Sequence, residues 1–133
     1  MKALFATALF VVCTNALSAQ AITAVDIVSI DARYRAEAEY FYRENWLAFR
    51  KEALKKGVIT SFRQLKTPPD STGRYTLMLL TTFADSTAFA HREERFAPIM
   101  KAISPNGPRM LNQVPRSAFL KYVSGYDFEE VPL

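Results

Sequence analysis

One cysteine, Cys13, and one histidine, His91, are all that the 133 residues supply of the two side chains that most often build metal sites and nucleophile pairs. A disulfide framework is excluded, and so is any ordinary zinc set, because no second Cys or His stands near His91 and carboxylates do not cluster around it. No metal is expected. Serines and threonines are present, but without a histidine partner they are not activated nucleophiles. Only four glycines occur, and none forms a phosphate-cradling loop. The GxSxG elbow and the HExxH helix are missing as well. No Asn-x-Ser/Thr sequon is present. Nothing in the chain marks a cofactor motif, so no cofactor is expected. Charge runs are also lacking: Arg50-Lys51 and Lys55-Lys56 are the only basic doublets. Without a basic stripe interleaved with aromatics, nucleic acid is a poor partner.

What the chain has is apolar residue. Half of it is hydrophobic and 23% is charged, proportions that suit one folded domain with a real core rather than a disordered chain. The first residues read differently. Lys2 supplies a positive start, Ala3 to Cys13 is an unbroken apolar run apart from Thr7, and the small residues Ala16, Ser18 and Ala19 follow. This is the pattern of a secretory signal peptide over residues 1–19, cut after Ala19 or Ala21. The run is shorter than the ~20 residues that span a bilayer, which separates it from an anchor. The expected product is a single domain over residues 20–133, secreted or periplasmic, with no membrane attachment. Of 17 basic residues Lys2 goes with the leader, so 16 stand against 13 acids and the net is +3.

The domain is organised around Val58 to Phe83. Two runs rich in β-branched and aromatic residues flank Pro68-Pro69-Asp70-Ser71-Thr72-Gly73, a strand–turn–strand pattern. A helical pattern precedes it, from Ala32 to Lys56, with Asp31 as N-cap and Gly57 at the exit. Its apolar stripe is Ala38, Phe41, Tyr42, Trp46, Phe49 and Ala53. A second helix, Ser86 to Ile103, follows Asp85 as N-cap, and Pro98 predicts a kink or restart near Ala97. Ile22–Ile30 reads as the first strand and Arg116–Tyr126 as the last, with a loop over Ser104–Pro115 and a loosely held tail from Asp127. The order is βαββαβ. The predicted fold class is α+β, a ferredoxin-like split βαβ plan: a four-stranded antiparallel sheet with two helices on one face. The third strand is apolar on both faces, Leu77, Leu79 and Phe83 against Met78 and Leu80. Helices can cover only one face, so a sheet-to-sheet homodimer is expected.

Three polar residues break the apolar pattern. Asp26 sits inside the first strand, either solvent-facing or buried with a basic partner. Asn45 lies within the first helical stripe, as a satisfied core amide or a pocket-lining donor and acceptor. Arg92 falls at the centre of the second helix's apolar stripe of Ala88, Phe89, Phe96, Ile99, Met100 and Ile103: it either snorkels its head out past the helix end, or is held by a carboxylate, with Asp26 the partner named, or binds an anionic ligand. Tyr42, Asn45, Trp46, Arg92 and Asp26 are therefore the candidate ligand-binding residues. His91 is expected at the surface.

The run EAEYFYRENWLAFRKEALKKGVITSFRQL followed by RYTLMLLTTFAD resembles the dimeric α/β-barrel superfamily, in particular small NIPSNAP-like and antibiotic-biosynthesis-monooxygenase-like domains. The matching residues are Glu39, Tyr40, Glu44, Trp46, the exit at Lys55 to Gly57, Phe62 and Phe83-Ala84-Asp85. The likeness covers about Ile22 to Tyr126. It implies a barrel of two paired sheets and a ligand held between sheet and helices. Members include cofactor-free oxygenases and haem degraders, and the latter use an Asn, a Trp and a His together. That set does not map here: the first strand has no Asn and the only Trp, Trp46, is on the first helix. The function expected is binding of a small hydrophobic or aromatic ligand. A cofactor-free monooxygenase and a structural or interaction module are the rivals.

Overall fold

The computed structural model describes residues 19–132. The leader expected over residues 1–19 therefore falls, Ala19 apart, outside the described residues. The elements run β1 (Ile22–Asp31), a 3-10 turn (Ala32–Tyr34), α1 (Arg35–Phe41), a π-helical segment (Tyr42–Leu47), α2 (Ala48–Lys55), β2 (Ser61–Lys66), β3 (Arg74–Phe83), α3 (Ser86–Ala90), α4 (Arg92–Ile103), α5 (Arg116–Phe119) and β4 (Leu120–Glu129). The fold is α+β. Its four strands form one open antiparallel sheet in the order β2-β3-β1-β4.

Alternation along the strands sorts side chains to two faces. Ala24, Val28 and Ile30 of β1, with Tyr75, Leu77, Leu79 and Phe83 of β3, point towards the helices. There they meet the stripe Ala38, Phe41, Tyr42, Trp46, Phe49 and Ala53, every member of which is buried. The helices thus cover one face of the sheet, as the two-period pattern predicts. The first helical leg stays continuous from Arg35 to Lys55, but it widens to π geometry over Tyr42–Leu47. It ends where Gly57 takes φ +69, a left-handed exit that spares a Cβ clash. At its start the Asp31 carboxylate accepts from the Arg33 backbone N–H at 3.0 Å. Arg33 also grips that carboxylate with its guanidinium, and the pair holds the Asp31 carboxyl down at about 2.

Three expectations need correction. The second helical leg restarts at His91, where φ is −93 and ψ is 12, and not near Ala97. Pro98 sits inside α4 without ending it, because Glu94 and Pro98 are both exposed and water can take the Glu94 carbonyl that proline leaves unpaired. Residues 116–119 form the helical turn α5, which buries Phe119, rather than the start of the last strand. The tail is not loose at its root. β4 pairs with β1 as far as Glu129, and the Glu130 N–H donates to the Ala21 carbonyl at 2.9 Å.

β4 carries one irregularity. Tyr122 lies opposite Val28 and Ser124 opposite Ile27, so Val123 is an extra residue, a β-bulge.

Candidate functional site

Between the first helical leg, the loop after α4 and the sheet is a cavity of about 660 Å³. The π segment faces it with Tyr42, Asn45 and Trp46, and Phe41 and Phe49 continue the aromatic wall. Ser104, Pro105, Gly107 and Pro108 form one rim, while Asp26, Leu79 and Tyr122 contribute from the sheet. Apolar rings with a few polar groups among them are what a small-molecule site requires. The widened turn matters here, since π-helical insertions recur at functional sites.

Asn45 is buried, with 3% of its surface exposed. Its amide is fully used. Nδ2 donates to the Phe41 carbonyl at 2.8 Å and to the Arg109 carbonyl at 2.9 Å, while Oδ1 accepts from the Arg109 N–H at 2.8 Å. Asn45 therefore latches the loop over Ser104–Pro115 onto the helix and shapes the rim. It keeps its place on the cavity wall, but as the satisfied amide rather than as a spare donor.

Asp26 stands on the cavity floor between Leu79 and Gly125 in the strand register. Asp26 is an exposed residue that the surrounding protein encloses only in part. That burial holds its carboxyl above the ordinary range, against the pull of Arg50, with Asp127 adding to the rise. Gly125 makes room beside it: a Cβ there would collide with the Tyr122 hydroxyl and come within 3.2 Å of the Asp26 carboxylate. The tip of Tyr122 is thereby folded in next to Asp26. Burial likewise pushes the Tyr42 phenol up, so it remains a neutral hydrogen-bonding group.

Arg92 is elsewhere. Its Nη1 donates to the Phe89 carbonyl at 3.0 Å and its guanidinium lies 4.1 Å from the centre of the Phe89 ring. It does not line the cavity, and the expected pair with Asp26 is not made. The basic partner of Asp26 is Arg50, through the field across the cavity rather than an ion-pair contact. Arg50 lies over the Trp46 ring at 4.7 Å and the Phe96 ring at 4.8 Å, and its Nε donates to Thr81 Oγ1 at 3.2 Å. Burial draws its guanidinium down to about 10, with Asp26 acting in the opposite sense. Sequence reasoning missed Arg50. The signal was there: it follows Trp46 by one helical turn, at the edge of the apolar stripe.

His91 is at the surface, with Nδ1 3.2 Å from Glu94 Oε2. Among the described residues no group of three or more His, Cys, Asp or Glu is placed to hold a metal, and no helix is long and apolar enough to cross a membrane. The five candidates thus divide: Tyr42, Asn45, Trp46 and Asp26 come together around one cavity, and Arg92 does not. No family model matches the chain, and no curated protein matches it significantly.

Proposed function

We propose that the chain is an exported, ferredoxin-like binding protein that takes a small hydrophobic or aromatic ligand between helices and sheet. The observation that carries this is the 660 Å³ cavity with a wall of aromatic rings. Its size suits a ligand of one or two rings, and its mouth gives access. An interaction module without a ligand would have no use for a cavity of that volume against its core. Mass spectrometry of small molecules carried through native purification is the direct test. A recurrent bound compound supports the reading. A clean protein whose Trp46 fluorescence ignores a panel of aromatic compounds removes it.

A second reading has one observation in its favour. Asp26, its carboxyl raised by burial, stands in the cavity within the field of Arg50, an arrangement suited to taking a proton from a phenolic substrate. That is compatible with a cofactor-free monooxygenase. Oxygen uptake on addition of quinol-like substrates, lost in Asp26→Asn, supports it, and no uptake with any of them counts against it.

The same proposal includes a homodimer through the uncovered sheet face. Three cross-strand rows lie there: Leu65–Met78–Ile27–Ser124, Arg63–Leu80–Val25–Tyr126 and Ser61–Thr82–Thr23–Phe128. Leu65, Tyr126 and Phe128 are 43%, 53% and 54% exposed. A second copy laid on this face would bury them at once. Light scattering on the purified protein decides the point: a dimer split by Tyr126→Lys supports it, and a monomer at micromolar concentration removes it.

A further inference from the structure

We infer that the ligand of this cavity is an anion: a small aromatic or hydrophobic molecule bearing a single carboxylate, with Arg50 as its anchor. The inference rests on the ligand-binding reading above and narrows it to a chemical class.

Arg50 is held from two directions. The Trp46 and Phe96 rings lie against its guanidinium, and Thr81 Oγ1 takes its Nε proton. This fixes the plane of the group. It leaves the Nη1/Nη2 edge without a protein hydrogen bond among the described residues, and that is one of the edges that meets a carboxylate in two parallel hydrogen bonds. The residue lines the cavity, and this edge is the part of it that the protein leaves for a ligand to use. A guanidinium this enclosed normally has a carboxylate in contact, since a buried charge without a partner is costly. Here no such ion pair is formed among the described residues.

The other charges favour the same occupant. Lys101 and Arg116 also line the cavity, so three cations face one acid, Asp26. Asp26 makes no ion-pair contact with any of them among the described residues, and partial burial holds its carboxyl above its ordinary value. It also limits the charge of the occupant: a dianion would bring its second charge towards Asp26 at the floor. One further group lacks a partner. Ser104 Oγ, on the cavity rim, is buried and unpaired, and can donate to an oxyanion or accept from a ligand hydroxyl. The rings of Phe41, Tyr42, Trp46 and Phe49 then take the apolar body. An anionic head on an apolar body is the one ligand shape that satisfies the cation, the hydroxyl and the rings together.

Trp46 is the only tryptophan, so its fluorescence reports on this site. The purified protein is titrated with three probes that share one body: 4-phenylbutyrate, 4-phenylbutanamide and 4-phenylbutan-1-ol. The carboxylate is expected to bind about tenfold tighter than the amide and the alcohol, the value of one charge-assisted hydrogen-bond pair. Arg50→Met should lower carboxylate affinity by about tenfold and leave the alcohol within about threefold. Arg50→Lys, which keeps the charge and loses the fork, should recover part of the preference. It also serves as the readout if Arg50→Met does not fold. Equal binding of all three probes, indifferent to Arg50, overturns the anion and leaves the hydrophobic-ligand reading standing. Binding of none overturns both.

Discussion

The two helical legs each place one arginine on an apolar stripe, and the two arginines meet opposite fates. On the second leg, Arg92 folds back over Phe89 and reaches its own helix end, half-buried and locally satisfied. On the first leg, Arg50 runs inward beneath the helix to Thr81 on the sheet. The second leg breaks at His91, which puts Arg92 in the first turn of a new helix where a long side chain can lie back over the preceding turn. The first leg is continuous through its π segment, so Arg50 has no end to escape over. The position of a helix break, more than the hydrophobic stripe, decides here whether the cation turns inward to the sheet or back over the preceding turn.

Four substitutions sharpen or break this contrast. The largest effect is expected from Asn45→Ala, which removes the side-chain latch between the first leg and the loop. It leaves the Arg109 N–H and carbonyl without their Asn45 partner and takes one donor from the Phe41 carbonyl, and should cost about 2–4 kcal/mol in denaturant unfolding. Hydrogen exchange at the Arg109 amide should rise with it. If exchange there is unchanged, the loop is held by something other than Asn45.

Arg50→Met should go the other way. A largely enclosed charge without a contact ion pair costs more in desolvation than one hydrogen bond and two ring contacts return, so the variant should be about 1 kcal/mol more stable. A large loss of stability would mean that Arg50 is structural and that the contrast with Arg92 is false.

Asp26→Asn tests the field across the cavity through its pH dependence. The folded protein holds the Asp26 proton more tightly than the unfolded chain does. The folded state is therefore favoured by this group at low pH, and that advantage is lost as pH rises through the raised carboxyl value. The variant should melt above the parent at pH 7 and level with it well below the ordinary carboxylate value of 3.8. A variant that melts lower at pH 7 would show that attraction to Arg50 outweighs burial. The smallest effect belongs to Arg92→Met, within about 0.5 kcal/mol and with no change in the binding of any cavity ligand.

What could be read from the sequence follows the range of the interaction involved. Asp31, Asp85 and Gly57 announce their caps because a cap is decided within a few residues, and the structure has all three in place. The succession of strands and helices along the chain and the buried stripe were equally accessible, since periodicity is local. The same is true of Tyr42, Asn45 and Trp46 as neighbours, one turn of helix apart. The partner of Asp26 was not accessible in this way. Choosing between Arg50 and Arg92 needed the helix break, and Pro98 drew attention to the wrong place for it because proline is tolerated where water can reach the orphaned carbonyl. Asn45's true partner, Arg109, lies 64 residues away in a loop with no periodicity to place it.

The extra residue in β4 also settles which surfaces can change independently. Tyr122, Tyr126 and Phe128 share one parity in the sequence and would line one face of a regular strand. The bulge at Val123 sends Tyr122 to the cavity and the other two to the uncovered face. A substitution at Tyr122 changes the cavity and leaves the uncovered face alone, and one at Tyr126 changes that face and leaves the cavity alone. One inserted residue thus lets a single strand furnish two surfaces that can vary separately.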